Sequence, residues 1–208
     1  MQPAHFFKNI TLNTNMDQGI CNGPRGFIFD LDGTLANSMP VHLAAWQAVG
    51  EQYGFEYTEE DLNRYAGMSG GEIVRIINEK QNLDLDPDEI TSQKEARFLE
   101  NLHKVEPIKP VMRLLARYAN QVPVSVGTGS FRRVALQILE AIGLSDSVEL
   151  LVAADDVEKH KPDPDTFLKC AELMNVNPEE CLVFEDAELG FQAAKNAGMQ
   201  YIDVRKFY

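Results

Sequence analysis

Apolar and polar positions change period several times along the chain. The run Arg25-Gly26-Phe27-Ile28-Phe29-Asp30 is short, apolar and aromatic, which suits a buried strand, and Gly33 breaks it. From Met39 to Gly54 the apolar residues Val41, Ala44, Ala45, Ala48 and Val49 recur at the i, i+3, i+4 spacing of an amphipathic helix closed by Gly54. Thr58 with Asp61, and Asp86 before Pro87, mark two further helix starts, and Gly70 to Lys80 supplies another helix between them. Residues 38 to 105 therefore read as purely helical. After Pro107 the pattern turns to strict alternation. A helix runs to about Asn120, followed by strand Val122 to Gly127, helix Ser130 to Ile142 and strand Glu149 to Ala153. Helix Pro164 to Met174, strand Cys181 to Phe184, helix Leu189 to Ala197 and strand Gln200 to Val204 complete it.

Alternating strands and helices imply an α/β fold with a Rossmann-like parallel sheet core and helices on both faces. The helical block is far longer than the roughly 4–6 residues of an ordinary connection. It is expected to be an inserted all-helical cap domain at 38–105, with the core formed by 22–37 and 106–208. Hinges are expected at Ala36 to Ser38 and Val105 to Pro107, because a cap must open for substrate and close against water. Residues 1–21 are polar and without a sustained period, so they read as a loosely attached leader, and Met16 is a candidate true start.

In a parallel sheet, ligands bind beyond the carboxyl ends of the strands, so the residues just past each apolar run are the ones to examine. Asp30 and Asp32 follow the first strand and point the same way if its period of two persists. Thr128 follows the second, between Gly127 and Gly129, which let an anion approach the backbone. Lys161 follows the third strand's loop, and Glu185 and Asp186 follow the fourth. Carboxylates converging on one pocket repel each other unless a cation neutralises them, and a set of oxygen ligands selects Mg²⁺. A carboxylate beside such a cation can attack phosphorus and form an acyl-phosphate, splitting the transfer into two easier steps. Adjacent strand residues point oppositely, so Glu185 and Asp186 are expected to have unequal roles.

Asp30-Leu31-Asp32-Gly33-Thr34, then Thr128, Lys161-Pro162, and Glu185-Asp186 with Gly190, resemble the four ordered signatures of the haloacid dehalogenase-like phosphotransferase superfamily. The match runs from Gly26 to the end of the sequence. A helical insertion directly after the first signature resembles the β-phosphoglucomutase-like subfamily. Within it, the stretches His160 to Phe167 and Val183 to Ala187 resemble bacterial sugar-phosphate phosphatases acting on fructose 1-phosphate and 6-phosphogluconate. The resemblance implies that Asp30 is nucleophile and metal ligand, and that Asp32 is the general acid/base with its backbone carbonyl on the metal. It implies that Thr128 and Lys161 hold the phosphoryl group, that Asp186 binds Mg²⁺ directly, and that Glu185 does so directly or through water. His42 and Trp46 share one face of the first cap helix; this spacing serves either packing or substrate contact, and the subfamily has His and Trp at these offsets. Gly129 and Ser130 complete the candidate substrate contacts.

Hydrolysis of a small phosphorylated metabolite is the expected reaction. Mutases of the subfamily use a cap arginine to grip a second phosphate, and its place in Ala66 to Gly71 is taken by Gly70. β-Phosphoglucomutase stays the alternative through Arg64 or Arg75. Asp32 favours phosphate esters over halides, since an alkoxide leaving group needs a proton. A phosphonate-cleaving relative would need a Schiff-base lysine such as Lys80, Lys94 or Lys104. A non-catalytic phosphoacceptor would need neither Asp32 nor a cap. Arg132 stands where a dinucleotide loop needs its third glycine, and no nucleotide-phosphate loop of the Gly-Lys-Ser/Thr type occurs. The 208-residue chain is 44% hydrophobic and 25% charged, an ordinary globular composition. Its net charge of −13 argues against nucleic acid and anionic membranes. Cys21, Cys170 and Cys181 match neither a disulfide framework nor a zinc site; no apolar run reaches the roughly 18 residues of a membrane span. A cytoplasmic monomer or weak dimer is expected.

Overall fold

The structure, a computed structural model, describes residues 23–208; the expected leader, Met16 and Cys21 lie outside the described residues. Five parallel strands form the central sheet in the order β5-β4-β1-β6-β7: β1 is Gly26–Phe29, β4 Val124–Gly127, β5 Leu150–Val152, β6 Cys181–Glu185 and β7 Gln200–Asp203. The pleat sorts side chains to the two faces. Phe27 and Phe29 of β1 and Leu182 and Phe184 of β6 pack under helices α5 (Lys109–Tyr118) and α6 (Arg132–Ala141). Ile28, Cys181 and Val183 face the other way, toward α7 (Asp165–Met174) and α8 (Glu188–Asn196). Phe29 and Phe184 stack with centroids 4.4 Å apart. A fully buried phenylalanine contributes about 1.5–3 kcal/mol, so this aromatic seam anchors β1 and β6, the two strands that carry the acidic residues. Strand β4 begins two residues later than expected: Pro123 has no N–H for a ladder, and its carbonyl accepts from the Phe27 amide instead.

Helices α1 (Met39–Tyr53), α2 (Glu59–Tyr65), α3 (Gly70–Gln81) and α4 (Pro87–Glu100) form the cap between two short strands, β2 (Ala36–Asn37) and β3 (Glu106–Pro107). These two strands pair antiparallel, so the chain leaves and re-enters the core through one two-stranded link. Thr58 and Ser69 start α2 and α3 with capping boxes to Asp61 and Glu72, and Asp86 caps α4 through the amides of Asp88 and Glu89. Gly54 ends α1 in the left-handed conformation, with φ 81°. The buried face of α1 corrects the expectation: Ala44 and Ala48 are exposed, and the inward stripe is Val41, His42, Ala45, Trp46, Val49 and Gly50. The small alanines tolerate solvent, while Trp46 joins Val49, Phe55, Tyr57 and Ile73 in a separate cap core. No helix among the described residues is long and apolar enough to cross a membrane.

Candidate active site

The residues predicted from the strand ends come together at the carboxyl edge of the sheet. Lys161, 1% exposed, donates to Asp30 Oδ1 at 2.7 Å and to Glu185 Oε2 at 2.8 Å, and its ammonium sits 4.7 Å from the centre of the Phe167 ring. Burial alone would lower the Lys161 pKa, but the Asp30 and Glu185 charges outweigh it and hold the pKa above the ordinary lysine value. The second oxygen of Glu185 accepts from the amides of Asp186 and Ala187, at 3.1 and 3.0 Å. Asp186 instead accepts from the Thr34 hydroxyl at 3.0 Å. The two neighbouring acids thus have different surroundings: Glu185 is enclosed by donors, and Asp186 is the more open.

Asp30, Glu185 and Asp186 each offer an oxygen within 4.8 Å of the others. Three carboxylates against the single ammonium of Lys161 leave two negative charges uncompensated. Burial first, and then Glu185, raises the Asp30 carboxyl well above the ordinary range, and the same causes raise Asp186 to about 7. An oxygen-only donor set carrying this excess charge fits a divalent cation of the Mg²⁺ type. The loop that carries Asp30 also depends on Gly33, whose φ is +87° and whose position is 2.2 Å from Asp186 Oδ2 for any added Cβ. Only glycine satisfies both constraints. Tyr208 steadies this turn by donating to the Gly33 carbonyl at 2.6 Å.

Asp32 is surrounded by donors from both parts of the molecule. Ser38 and His42, from the cap side, reach Oδ1 at 2.7 and 2.9 Å; Thr128 and Ser130, from the core, reach Oδ2 at 3.1 and 2.8 Å. Burial would raise its pKa, yet His42 and the Ser38 and Ser130 hydroxyls outweigh this and hold Asp32 well below the usual carboxylate range. His42 itself is lowered by burial and by the Lys94 charge, which outweigh the opposing pull of Asp32. At pH 7 His42 therefore holds Asp32 through a hydrogen bond, and its charge adds to that hold at lower pH, where His42 is protonated. The pattern assigns the tautomer: Lys94 Nζ donates to His42 Nδ1 at 2.8 Å, so Nε2 carries the proton that faces Asp32. Burial lowers Lys94 to about 8, and its ammonium lies 5.5 Å from the Trp46 ring centre and 5.7 Å from that of Phe98.

One cavity gathers these groups. Asp30, Asp32, Thr128, Gly129, Ser130 and Glu185 line it from the core, and His42, Trp46, Gly70 and Lys94 from the cap. Lys161 lies behind Asp30, and Asp186 borders a neighbouring groove by the β2–β3 link. The cap is closed over the site: an added Cβ on Gly129 would stand 2.6 Å from the Gly67 carbonyl oxygen. Arg133 of α6 reaches Glu95 of α4 at 2.7 Å across the same boundary. Sequence reasoning missed Ser38 and Tyr208 and gave Lys94 no part in this network; Ser38 reaches Asp32 through the local turn six residues on, while the packing of the cap helices brings Lys94 to His42. Of the three cap lysines considered, Lys80 pairs with Tyr65 and Asp61, and Lys104 with Asn101.

Comparison with known proteins places this site in a family. The model of the haloacid dehalogenase-like hydrolases matches residues 27–204. Fructose-1-phosphate phosphatase YqaB of Escherichia coli is 41% identical over 181 residues, covering 86% of this chain and 96% of that protein. The β-phosphoglucomutase of Bacillus subtilis is 30% identical over 188 residues, 86% of this chain and 83% of its own. A crystal structure of a hydrolase from Pseudomonas syringae superposes with a TM-score of 0.81 at 25% identity, covering 88% of this chain and 86% of the other. With its acidic edge, its buried lysine and its helical cap inserted after the first strand, the chain belongs to the haloacid dehalogenase-like hydrolases, in their β-phosphoglucomutase-like subfamily.

Proposed function

We propose that the protein is a Mg²⁺-dependent phosphatase of small sugar phosphates that works through a phosphorylated Asp30. The observation that carries this reading is the presence of Asp30 and Asp32 in one cap-covered cavity, one beside a buried ammonium and the other ringed by hydrogen-bond donors. The Asp30 carboxylate attacks phosphorus while Lys161 offsets charge on Asp30 and on the transferring group. The ester P–O bond breaks, and the departing sugar oxygen takes a proton from Asp32. That proton reaches Asp32 along the line of donors from Lys94 through His42. Water then attacks the phosphorus of the acyl-phosphate and yields a proton to Asp32, which passes it back through His42 to Lys94; the bond to Asp30 breaks, releasing phosphate and restoring both carboxylates. Asp30, Asp186, Glu185 and the Asp32 carbonyl would hold Mg²⁺, which when bound neutralises charge on the phosphoryl oxygens. Thr128, Ser130 and Gly129 border the phosphoryl position, and His42 and Trp46 the sugar.

Hydrolysis is favoured over mutase chemistry by what the cavity lacks among the described residues: no arginine lines it. Arg64 is exposed on α2 and bonded to Glu60, and Arg75 is exposed and faces an outer groove. Lys94 is the cation on the wall, and it is engaged with His42. A second phosphate would find no bidentate partner. The same engagement counts against a Schiff-base role for Lys94. The names of the relatives, a fructose-1-phosphate phosphatase and a β-phosphoglucomutase, support a phosphorylated sugar as substrate.

The test is phosphate release from a panel of sugar monophosphates with and without Mg²⁺, beside an Asp30→Asn control and a coupled assay for β-glucose 1-phosphate isomerisation. Release that needs both Mg²⁺ and Asp30 is expected. Isomerisation without release would overturn the phosphatase reading in favour of the mutase.

A further inference from the structure

Two buried hydroxyl groups of the cap have no hydrogen-bond partner among the described residues. Tyr57, between α1 and α2, is 4% exposed and stacks on Trp46 with ring centroids 5.1 Å apart; Thr91, on α4, is 7% exposed. Both hydroxyl oxygens are buried with no hydrogen-bond partner among the described residues, and no other side chain of residues 38–105 shares that condition. Nearby groups of the same kind are paired: Tyr65 with Lys80, and Tyr53 with Glu89 at 2.9 Å. An unpaired buried hydroxyl costs stability and calls for an explanation. Here the two exceptions share one location, since both residues line the catalytic cavity on its cap wall.

Thr91 also decides what else that wall can hold. An added Cβ on Gly70 would meet its methyl carbon at 2.6 Å and its hydroxyl oxygen at 3.0 Å. Thr91 therefore occupies the room that any side chain at position 70 would need. The wall holds two neutral hydroxyls that can each donate and accept, and position 70 leaves no room for a charged side chain. Such a surface suits the hydroxyl groups of a carbon chain better than a second anion, and a site built to hydrogen-bond a substrate hydroxyl discriminates strongly against analogues that lack it.

We propose that Tyr57 and Thr91 are specificity-determining residues, whose hydroxyls bond to those of the substrate when its phosphoryl group lies against Asp30, so that polyhydroxylated monophosphates are selected over hydroxyl-free esters. This inference rests on the phosphatase reading above and names the part of the substrate that the cap reads.

The test uses two shape-conserving variants, Tyr57→Phe and Thr91→Val, with fructose 1-phosphate and phenyl phosphate as probes. Each variant is expected to lose about tenfold in kcat/KM toward fructose 1-phosphate and only about twofold toward phenyl phosphate. The ligand-free melting temperature should stay level or rise, because an unpaired buried hydroxyl has been removed. Calorimetric binding of fructose 1-phosphate to Asp30→Asn protein, with and without each substitution, should weaken by the same factor as kcat/KM. Equal losses toward both esters, a lower melting temperature with a parallel loss of activity, or unchanged sugar-phosphate binding would overturn the proposal. If the unaltered protein hydrolyses neither ester, the phosphatase reading is what fails. The binding arm then still decides on the two hydroxyls: weaker binding by the variants supports the proposal, and equal binding refutes it.

Discussion

Lys161 is an ammonium shut inside the protein between two carboxylates, and its removal should be felt in stability as well as in turnover. Breaking a buried charge pair by deleting one partner costs about 3–5 kcal/mol, so Lys161→Met should lower the unfolding free energy by that order in urea without Mg²⁺. Asp32→Asn keeps the shape of the side chain but removes its capacity to exchange a proton. Phosphate release should fall by about 10²–10⁴, and the melting temperature should fall as well, because the ionised carboxylate is held by four donors whose charge-assisted bonds an amide does not replace. Cys170 gives a stability test outside the chemistry: burial pushes its thiol up to about 12 from 9.0. The folded protein keeps this proton after the unfolded chain has lost it. The associated stability is full below about pH 9 and is lost as pH rises toward 12. Cys170→Ala should flatten that part of the alkaline decline, as read from melts across the range; an unchanged slope would mean the thiol is not shielded.

The cap meets the core through backbone at Gly67 and Gly129, and through side chains at Asp32 and at the Arg133–Glu95 pair. Gly129→Ala places a methyl group 2.6 Å from the Gly67 carbonyl oxygen and should hold the cap ajar. Misplacement by about 1 Å can cost 10²-fold, so kcat/KM should drop by roughly that much while the melting temperature moves little. Thr58→Ala, by contrast, removes an exposed capping box and should cost about 1 kcal/mol of stability without affecting turnover. How readily each element could be read depended on where its information lies. Helices α2 and α4 announce themselves through Thr58-Asp61 and Asp86-Pro87, which are local signals. Strands β2 and β3, two residues each, carry no periodicity, and their pairing joins positions some 70 residues apart by count, Ala36 with Pro107. The inward face of α1 was misassigned to Ala44 and Ala48 because small apolar residues satisfy a helical pattern whether or not anything packs on them.

Across the whole molecule the two sources of the site differ in the same way. Asp30, Asp32, Thr128, Lys161, Glu185 and Asp186 were legible because a parallel sheet brings its strand ends to one edge. Lys94, Tyr57 and Thr91 were not, because their approach to the cavity depends on how four helices pack and on how the cap settles on the core. Asp32 joins these two parts: with the cap closed it is bonded to Ser38 and His42 on one side and to Thr128 and Ser130 on the other. The uncompensated charge at Asp30, Glu185 and Asp186 ties the proposed metal binding to the stability of the fold. Mg²⁺ at 100 times its dissociation constant should stabilise the protein by about 2.7 kcal/mol, and a chelator should remove that gain. An Asp186→Asn variant, with one charge fewer in the cluster, should show a smaller gain. The central claim, that Asp30 itself carries the phosphoryl group, is tested most directly by rapid acid quench of the enzyme turning over a sugar phosphate with Mg²⁺, followed by mass spectrometry of its peptides. One added phosphoryl group on the peptide containing Asp30, absent without Mg²⁺ and absent in Asp30→Asn, is the expected result. Steady release of phosphate by an Asp30→Asn enzyme, or a phosphoryl group trapped on another residue, would contradict it.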